Sequence, residues 1–148
     1  HMQLNGRDVT DLIRQPEIST YASVSAAIPE VRAFLLNTQR EIARTHSVVM
    51  DGRDIGTVVL PNADVKIFLT ASAEVRAKRR YLELQSKSVS DTYETVLADM
   101  IERDRRDTER PIAPLKQAPD AVLVDTSELS PEESVDAVVR VIWERIKL

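Results

Sequence analysis

The sequence predicts an α/β domain built on a parallel sheet. Three short and almost continuously apolar runs, at 48–50, 65–69 and 121–124, have the composition of strands that are covered on both faces. The segments between them carry apolar residues at helical spacing. Strands that alternate with helices imply βα units and a parallel sheet. Because such sheets bind ligands at the carboxyl ends of their strands, polar residues just after each run are the first candidates for a site.

Proline and capping residues predict where the helices begin. Pro29 suits a first helical turn, and Ser72 and Ser90 are expected to cap the two helices that follow. The clearest signal is the segment 130–133, a serine and a glutamate three residues apart with proline at the first helical position, which is a capping box. Near the amino terminus, the segment 4–7 contains Asn-Gly and predicts a tight turn after a short extended piece.

Composition limits the classes of function. The 148 residues fit one domain, and the net charge of −4 argues against nucleic acid or a membrane as the partner. Any anion site must therefore come from clustered arginines. The chain has no cysteine, which excludes disulfides and thiolate metal sites and makes a cytoplasmic location the expectation. No apolar run approaches the ~20 residues of a membrane span, and we expect no signal peptide.

The segment after the first apolar run carries the strongest chemical signal. Asp51, Arg53 and Asp54 bring two carboxylates and a guanidinium to the end of a predicted strand. The planar fork of arginine suits bidentate contact with phosphate, and aspartate accepts hydrogen bonds from an amine. The alternative is a turn that ends the strand, with Arg53 paired to a neighbouring aspartate, because Asp-Gly is common in turns. The residues alone leave both interpretations open.

A second candidate is a run of charges after residue 101. Arg103, Arg106 and Arg110 fall at i, i+3 and i+7, so they share one face if the helix continues. Like charges at this spacing repel unless something neutralises them, which suggests a clamp for an anion. The alternative is a solvated helix with ion pairs such as Glu102–Arg106. Residue chemistry alone favours this second interpretation.

Other polar residues give weaker signals. Ser23 and Arg32 read as a loop serine and a surface arginine when they are considered alone. Arg76, Arg79 and Arg80 follow the second apolar run on a predicted helix. The default interpretation is that these three side chains pack against the protein or are solvated, and the alternative is that they contact a nucleotide.

Taken together, the motifs resemble the bacterial cytidylate kinase family. The similarity runs from about Leu4 to the end of the chain, in the order and with the spacing of that family, and is therefore far more specific than a single short motif. The segments that carry it are 5–10, 27–32, 51–61, 65–72, 102–110 and 112–115.

The resemblance implies a fold and a division of the chain. The fold would be a parallel sheet of the P-loop-kinase type with flanking helices, lacking the first strand, the P-loop and the first helix. Residues 1–2 resemble a cloning scar, and residues 3–45 would be the remainder of the region that closes over CMP. Residues 46–148 would be the rest of the kinase core, with a lid helix at about 90–115.

The resemblance also implies an activity and residue roles. The family transfers the γ-phosphoryl group of ATP to CMP or dCMP, giving CDP or dCDP, with ATP and Mg²⁺ as cofactors. The matching positions imply that the nucleoside is recognised by Ser23, Arg32 and Asp54, of which Asp54 would accept a hydrogen bond from the cytosine amine.

The remaining implied roles concern the phosphates. Arg53 and Arg110 match residues that hold phosphate, and both are expected to act in catalysis. Arg103, also expected to be catalytic, and Asp107 match lid-helix residues that contact the sugar and phosphate side of CMP. Asp51 matches an aspartate near hydrated Mg²⁺, an ion that prefers to retain waters.

One family feature is absent from the sequence. The three glycines of the chain do not precede Lys-Ser or Lys-Thr, so the phosphate-loop motif G-x-x-x-x-G-K-[ST] does not occur. We therefore expect the chain by itself to be catalytically inactive, as a fragment of the parent enzyme, because positioning of the phosphates dominates this chemistry. A missing central strand would also leave a gap between the runs at 48–50 and 65–69, with strand-completing self-association as one outcome. The alternatives are another P-loop kinase, such as a uridylate or dephospho-coenzyme A kinase, and a non-catalytic interaction module.

Overall fold

A computed structural model describes residues 1–87 and 90–146, which form two compact units, His1–Val48 and Val49–Leu148. The first unit opens with an antiparallel pair, β1 (Gln3–Leu4) and β2 (Arg7–Asp8). Asn5 and Gly6 between them have φ angles of 50° and 78°, as a two-residue hairpin turn requires. The predicted tight turn at 4–7 is thereby confirmed.

The rest of the first unit is helical. A short 3₁₀ turn at Leu12–Arg14 leads into α1 (Pro16–Ser25), and α2 (Pro29–Thr45) follows after three residues. Both α-helices have proline in their first turn, where its missing N–H costs nothing and its fixed φ suits the helix. The predicted start of α2 is confirmed, whereas α1 was not predicted.

The second unit contains a parallel pair of strands. Strand β3 (Ile67–Thr70) runs beside β4 (Val122–Asp125), with Ile67 opposite Val122 and Thr70 opposite Asp125. The chain crosses from one to the other through α3 (Ala73–Ser86) and α4 (Tyr93–Glu109), and α5 (Pro131–Ile146) follows β4. The prediction of a mixed α/β unit with a small parallel sheet is confirmed.

Apolar packing joins α3 to α4. Ala77 and Leu84 on α3 and Val96 on α4 are buried together. Leu97 and Met100 of the predicted apolar stripe pack against them, as does Tyr93. Since this contact buries one side of α4, its other sides are available for polar groups.

Local capping chemistry was predicted well at two of three helix starts. Ser72 Oγ accepts a hydrogen bond from the Val75 amide at 3.2 Å. At the start of α5, Ser130 and Glu133 exchange backbone-to-side-chain bonds of 2.8 and 3.2 Å, which confirms the capping box. The cap predicted for α4 at Ser90 is wrong, because Thr92 Oγ1 accepts from the Thr95 amide instead.

The apolar run 48–50 is not a strand. Its backbone is irregular and Val49 is 97% exposed, so the prediction is wrong there. Three residues form few ladder hydrogen bonds, and within the described part of the chain no strand pairs with them. The other two predicted strands exist but lie one or two residues later than expected.

Within the described ranges, no helix is long and apolar enough to cross a membrane.

Candidate functional site

A single π-helical turn sets the position of Asp54. The turn covers Ile55–Val59, is wider than an α-helix, and begins directly after Asp54. The Asp54 carbonyl accepts hydrogen bonds from the amides of Val58 and Val59 at 2.8 and 3.2 Å. Turns of this π-helical kind are frequent at functional sites. They hold the Asp54 peptide in one orientation, and the residue itself is only 8% exposed.

The carboxyl half of α4 supplies a second buried carboxylate. Asp107 is 3% exposed, and its Oδ2 atom accepts a hydrogen bond of 2.8 Å from Arg53 Nε. Arg103 Nε lies 3.9 Å from the same oxygen. Two arginines that are 50 residues apart in the sequence therefore converge on one carboxylate.

Arg110, directly after α4, joins these two regions. Its Nη2 atom donates to Asp54 Oδ1 at 3.3 Å, and its Nε donates to the Ala113 carbonyl at 2.6 Å. Ala113 has a φ of 50°, a left-handed conformation that costs a non-glycine residue about 1–2 kcal/mol. The loop is closed further on, where the Leu115 amide donates to the Asp107 carbonyl at 2.7 Å. The buried Arg110 is thus fixed on two sides.

Positive charge exceeds negative charge in this cluster, which consists of Arg53, Asp54, Arg103, Asp107 and Arg110. Burial and the charge of Arg53 lower the pKa of Arg103, while Asp107 and Asp104 act in the opposite direction. The Nε atom of Arg103 is buried and has no hydrogen-bond partner within the described ranges. A bound anion would add both the missing charge and the missing acceptor, so the cluster is chemically suited to a phosphate group.

The opposite face of α4 carries ion pairs of an ordinary kind. Arg105 donates to Glu102 at 2.9 Å and to Glu109 at 2.7 Å, and all three side chains are exposed. Arg106, which shares the face of Arg103 by its spacing, has its Nε 3.7 Å from Glu102, one of the pairs expected for a solvated helix. This nitrogen is buried and, within the described ranges, has no hydrogen-bond partner. The exposed pairs of Arg105 agree with the solvated-helix interpretation, whereas an anion clamp formed by Arg103, Arg106 and Arg110 stays a prediction.

The arginines of α3 form pairs within the protein, which agrees with the default interpretation. Arg79 donates to the carbonyls of Thr126 and Leu129 and so closes the connection after β4. Arg80 pairs with Glu83 on the same helix at 2.8 Å. Arg76 has a longer reach, because it forms two bonds to Asp104 on α4. This last pair could not be predicted from local sequence patterns, because 28 residues separate its members.

The remaining predicted site residues are placed as follows. Ser23 is half-buried on α1, and Arg32 on α2 donates to the Ala26 carbonyl at 3.2 Å. Both belong to the first unit, so their participation in one site with Asp54 stays a prediction. Asp51 is exposed. In the described part of the chain, no three acidic or histidine side chains are grouped closely enough to hold a metal ion without further ligands.

The parallel βα arrangement and the arginine cluster define an α/β protein suited to a phosphorylated ligand. Residues 1–144 match the cytidylate kinase family, and the chain belongs to that family. It is 54% identical to a cytidylate kinase of Thermosipho melanesiensis, over 98% of this chain and 67% of that protein. Identity to a cytidylate kinase of Fervidobacterium nodosum is 52%, over 98% of this chain and 66% of the relative. The chain thus spans about two thirds of the length of the curated relatives it matches. The family expected from the motifs is confirmed.

Proposed function

We propose that this chain supplies the CMP-binding groups and the lid helix of a cytidylate kinase, which transfers the γ-phosphoryl group of ATP to CMP or dCMP. The observation that carries the proposal is the cluster around Asp54 and Asp107. The buried carboxylate of Asp54 directly follows Arg53 in the chain, and the cluster contains three arginines and two aspartates. This arrangement supports a role for Asp54 as the acceptor for a base beside a phosphate site. The names of the relatives support the same substrate class.

Base recognition is assigned to Asp54. One of its oxygens already accepts from Arg110, which supplies the compensating charge that a buried carboxylate needs. A carboxylate has about four acceptor positions, so the bond from Arg110 does not by itself exclude a further bond from the cytosine amine. Uracil presents a carbonyl at the same place. An acceptor would then face an acceptor, which is a strong basis for discrimination.

Phosphate binding is assigned to Arg53, Arg103 and Arg110. Asp107 accepts from Arg53 Nε, and the Arg53 side chain is 39% exposed, so the terminal nitrogens of that guanidinium would be the ones to bind the phosphate. Arg103 approaches the same carboxylate from within α4. In this arrangement Asp107 orients the arginines, and a phosphate would neutralise their excess charge.

Asp51 is the candidate for the Mg²⁺ side of the site. A single exposed carboxylate fits Mg²⁺, because this ion keeps several waters and usually takes one or two carboxylates together with substrate phosphates. When bound, the ion would neutralise charge on the transferring phosphoryl group. The 148 residues contain no G-x-x-x-x-G-K-[ST] segment, so we propose that the chain by itself binds CMP without consuming ATP.

Two further assignments complete the proposal. Ser23 and Arg32, in the unit assigned to closure over CMP, would contact the nucleoside. The exposed edge and face of the parallel pair would support strand-completing self-association. Leu69 and Leu123 are 58% and 56% exposed there, and β3 pairs only with β4 within the described ranges.

Calorimetric titration of CMP and UMP into this chain tests the assignment of Asp54. Asp54→Ala is expected to weaken CMP binding roughly 10- to 150-fold, the equivalent of one charged hydrogen bond of about 1.5–3 kcal/mol, and to affect UMP much less. Asp64→Ala, which removes an exposed carboxylate of the same unit, is the matched control. Equal losses for both nucleotides would contradict base recognition by Asp54. Failure of the unaltered chain to bind CMP would contradict the proposed function as a whole.

A coupled assay for CMP-dependent ATP consumption tests the inactivity of the chain alone. No turnover is expected, and the whole Thermosipho melanesiensis relative serves as the active control. Turnover comparable with that of the control would show that the missing loop is not needed.

A further inference from the structure

Arg76 forms hydrogen bonds both to the end of β3 and to α4, the helix that carries Arg103. Its Nη1 and Nη2 atoms donate to the two carboxylate oxygens of Asp104 at 3.0 and 2.6 Å. Its Nε donates to the Ala71 carbonyl at 2.9 Å. Ala71 is buried directly after β3, so one guanidinium bridges the carboxyl edge of the sheet and α4.

Asp104 lies where a small movement of α4 reaches the proposed site. It is the neighbour of Arg103 and precedes Asp107 by three residues, and its charge acts on the guanidinium of Arg103. Since a helix turns about 100° per residue, a rotation of α4 by a fraction of that angle would move Asp107 away from Arg53.

The apolar contact between α3 and α4 does not by itself fix this rotation. Ala77, Leu84 and Val96 form an apolar cluster, and apolar burial is non-directional. A bidentate pair between arginine and carboxylate has fixed planar geometry. Both side chains are about one third exposed, at 34% and 31%, whereas Arg105 on the outer face is 55% exposed. Tyr93 also makes directional contacts with α3, an edge-to-face contact with Tyr81 and a hydrogen bond to the Glu74 carbonyl, but it lies at the start of α4. The Arg76–Asp104 pair is the directional α3–α4 contact in the half of α4 that carries Asp107.

We propose that Arg76, acting through Asp104, is a positioning residue that sets the rotation of α4 and so holds Asp107 against Arg53, with Arg103 beside it. The inference rests on the proposed function in one respect, namely that the ligand of the cluster is CMP. The geometric part, from Arg76 to Arg53, is independent of the identity of the ligand.

Two measurements on the 148-residue chain test this role. The first is the NMR signal and hydrogen exchange of the Arg53 Nε–H group, which donates to Asp107 without any ligand. The second is the dissociation constant for CMP. Arg76→Met is expected to shift the Arg53 signal, to accelerate its exchange, and to weaken CMP binding about 10- to 100-fold, as misplacement of a binding group does. Arg76→Lys, which keeps the charge but not the fork, is expected to recover little of this loss.

Arg105→Met is the matched control. It also removes an arginine that pairs with carboxylates of α4, but these pairs lie on the exposed face of the helix. It is expected to change neither measurement. In an Arg103→Ala, Asp107→Ala background, Arg76→Met is expected to have no further effect on CMP binding, because the residues through which it acts are gone.

The outcomes separate the two proposals. A lower melting temperature for Arg76→Met, with the Arg53 signal and CMP binding unchanged, would show a purely structural role and overturn the inference. If Arg76→Met does not fold, the isosteric Asp104→Asn replaces it, and an unchanged Arg53 signal in that variant overturns the inference equally. If the unaltered chain does not bind CMP, the proposed function fails, while the Arg53 signal still decides the positioning role.

Discussion

Helix α4 carries arginine–carboxylate pairs of two kinds on opposite faces. On the outer face, Arg105 is 55% exposed and pairs with two glutamates of its own helix. On the inner face, the Asp107 side chain is 4% exposed and pairs with Arg53, which comes from a different part of the chain. Each pair joins an arginine to a carboxylate, and Arg105 and Asp107 lie only two positions apart on α4.

The difference shows that burial, and not charge pattern, decides what an ion pair does. Exposed pairs are screened by water and contribute little to stability. A buried carboxylate depends on its partner, because removal of that partner leaves an uncompensated charge out of contact with water. The inner face can therefore hold groups in a fixed orientation for a ligand, which the outer face cannot.

Arg110→Ala is expected to have the largest effect on stability. It removes a buried guanidinium from the buried Asp54, and breaking such a pair costs about 3–5 kcal/mol. Urea unfolding measures the change, with Arg105→Ala as the control that stays near the unaltered chain. If both variants lose equal stability, the distinction between the two faces is wrong.

Arg103→Ala is expected to affect activity rather than stability. Asp107 keeps its bond to Arg53 in this variant, so the melting temperature should change little. In a protein that carries both this sequence and a phosphate loop, kcat/KM should fall about 10²- to 10³-fold, as when one donor to transition-state charge is removed. Near-normal kinetics together with a clear loss of stability would instead place Arg103 among the ordinary ion pairs.

Leu69→Lys tests whether exposed apolar residues on the sheet promote self-association while those on a helix do not. Leu69 is 58% exposed on β3 and Leu82 is 57% exposed on α3. If the sheet self-associates, Leu69→Lys should weaken the association roughly tenfold or more, because burial of a leucine contributes about 1.5–3 kcal/mol. Leu82→Lys should leave it unchanged. Sedimentation velocity over a range of concentrations measures both, and a monomer at every concentration would contradict self-association.

Glu83 on α3 belongs to exposed ion pairs like those of Arg105, and its substitution should change stability least. Hydrogen bonds from Lys87 and Arg80 lower the pKa of Glu83 to about 2, from an ordinary value of 4.5. Because the folded-state pKa is the lower one, the contribution to stability is present above the ordinary pKa and is lost as the pH falls through about 2. Melting curves of Glu83→Gln should show a loss of about 0.3–0.5 kcal/mol at pH 7 that vanishes near pH 2. A loss that does not depend on pH would exclude the ion pairs as its cause.

Local signals in the sequence predicted local structure. The capping box at Ser130, the cap at Ser72 and the hairpin turn at Asn5-Gly6 depend on residues within four positions of each other, and all three are confirmed. The strand at 48–50 failed because a strand requires a partner, which an apolar run does not reveal. Helix α1 was missed because its stripe is weak, although Pro16 in its first turn was a usable signal.

The site was predictable in part for the same reason. The motifs identified Arg53, Asp54 and Asp107 as candidate ligand-binding residues. The ion pairs proposed from the residues alone, however, were between near neighbours in the sequence. The pairs in the structure span 54 and 56 positions, for Arg53–Asp107 and Arg110–Asp54. Only the fold brings such residues together, and this also explains why Arg76 received no functional role from the sequence.

The turn at Ile55–Val59 makes the length of this segment matter more than its composition. Its backbone bonds reach across five residues, as in the bond from the Leu60 amide to the Ile55 carbonyl at 2.7 Å. Substitutions that keep five residues leave that spacing intact. Deletion of a single residue would tighten the turn towards an α-helix and rotate everything before it by about 100°. The direction of the Asp54 carboxylate, and with it the base recognition proposed for this residue, would then be lost without any change to Asp54 itself.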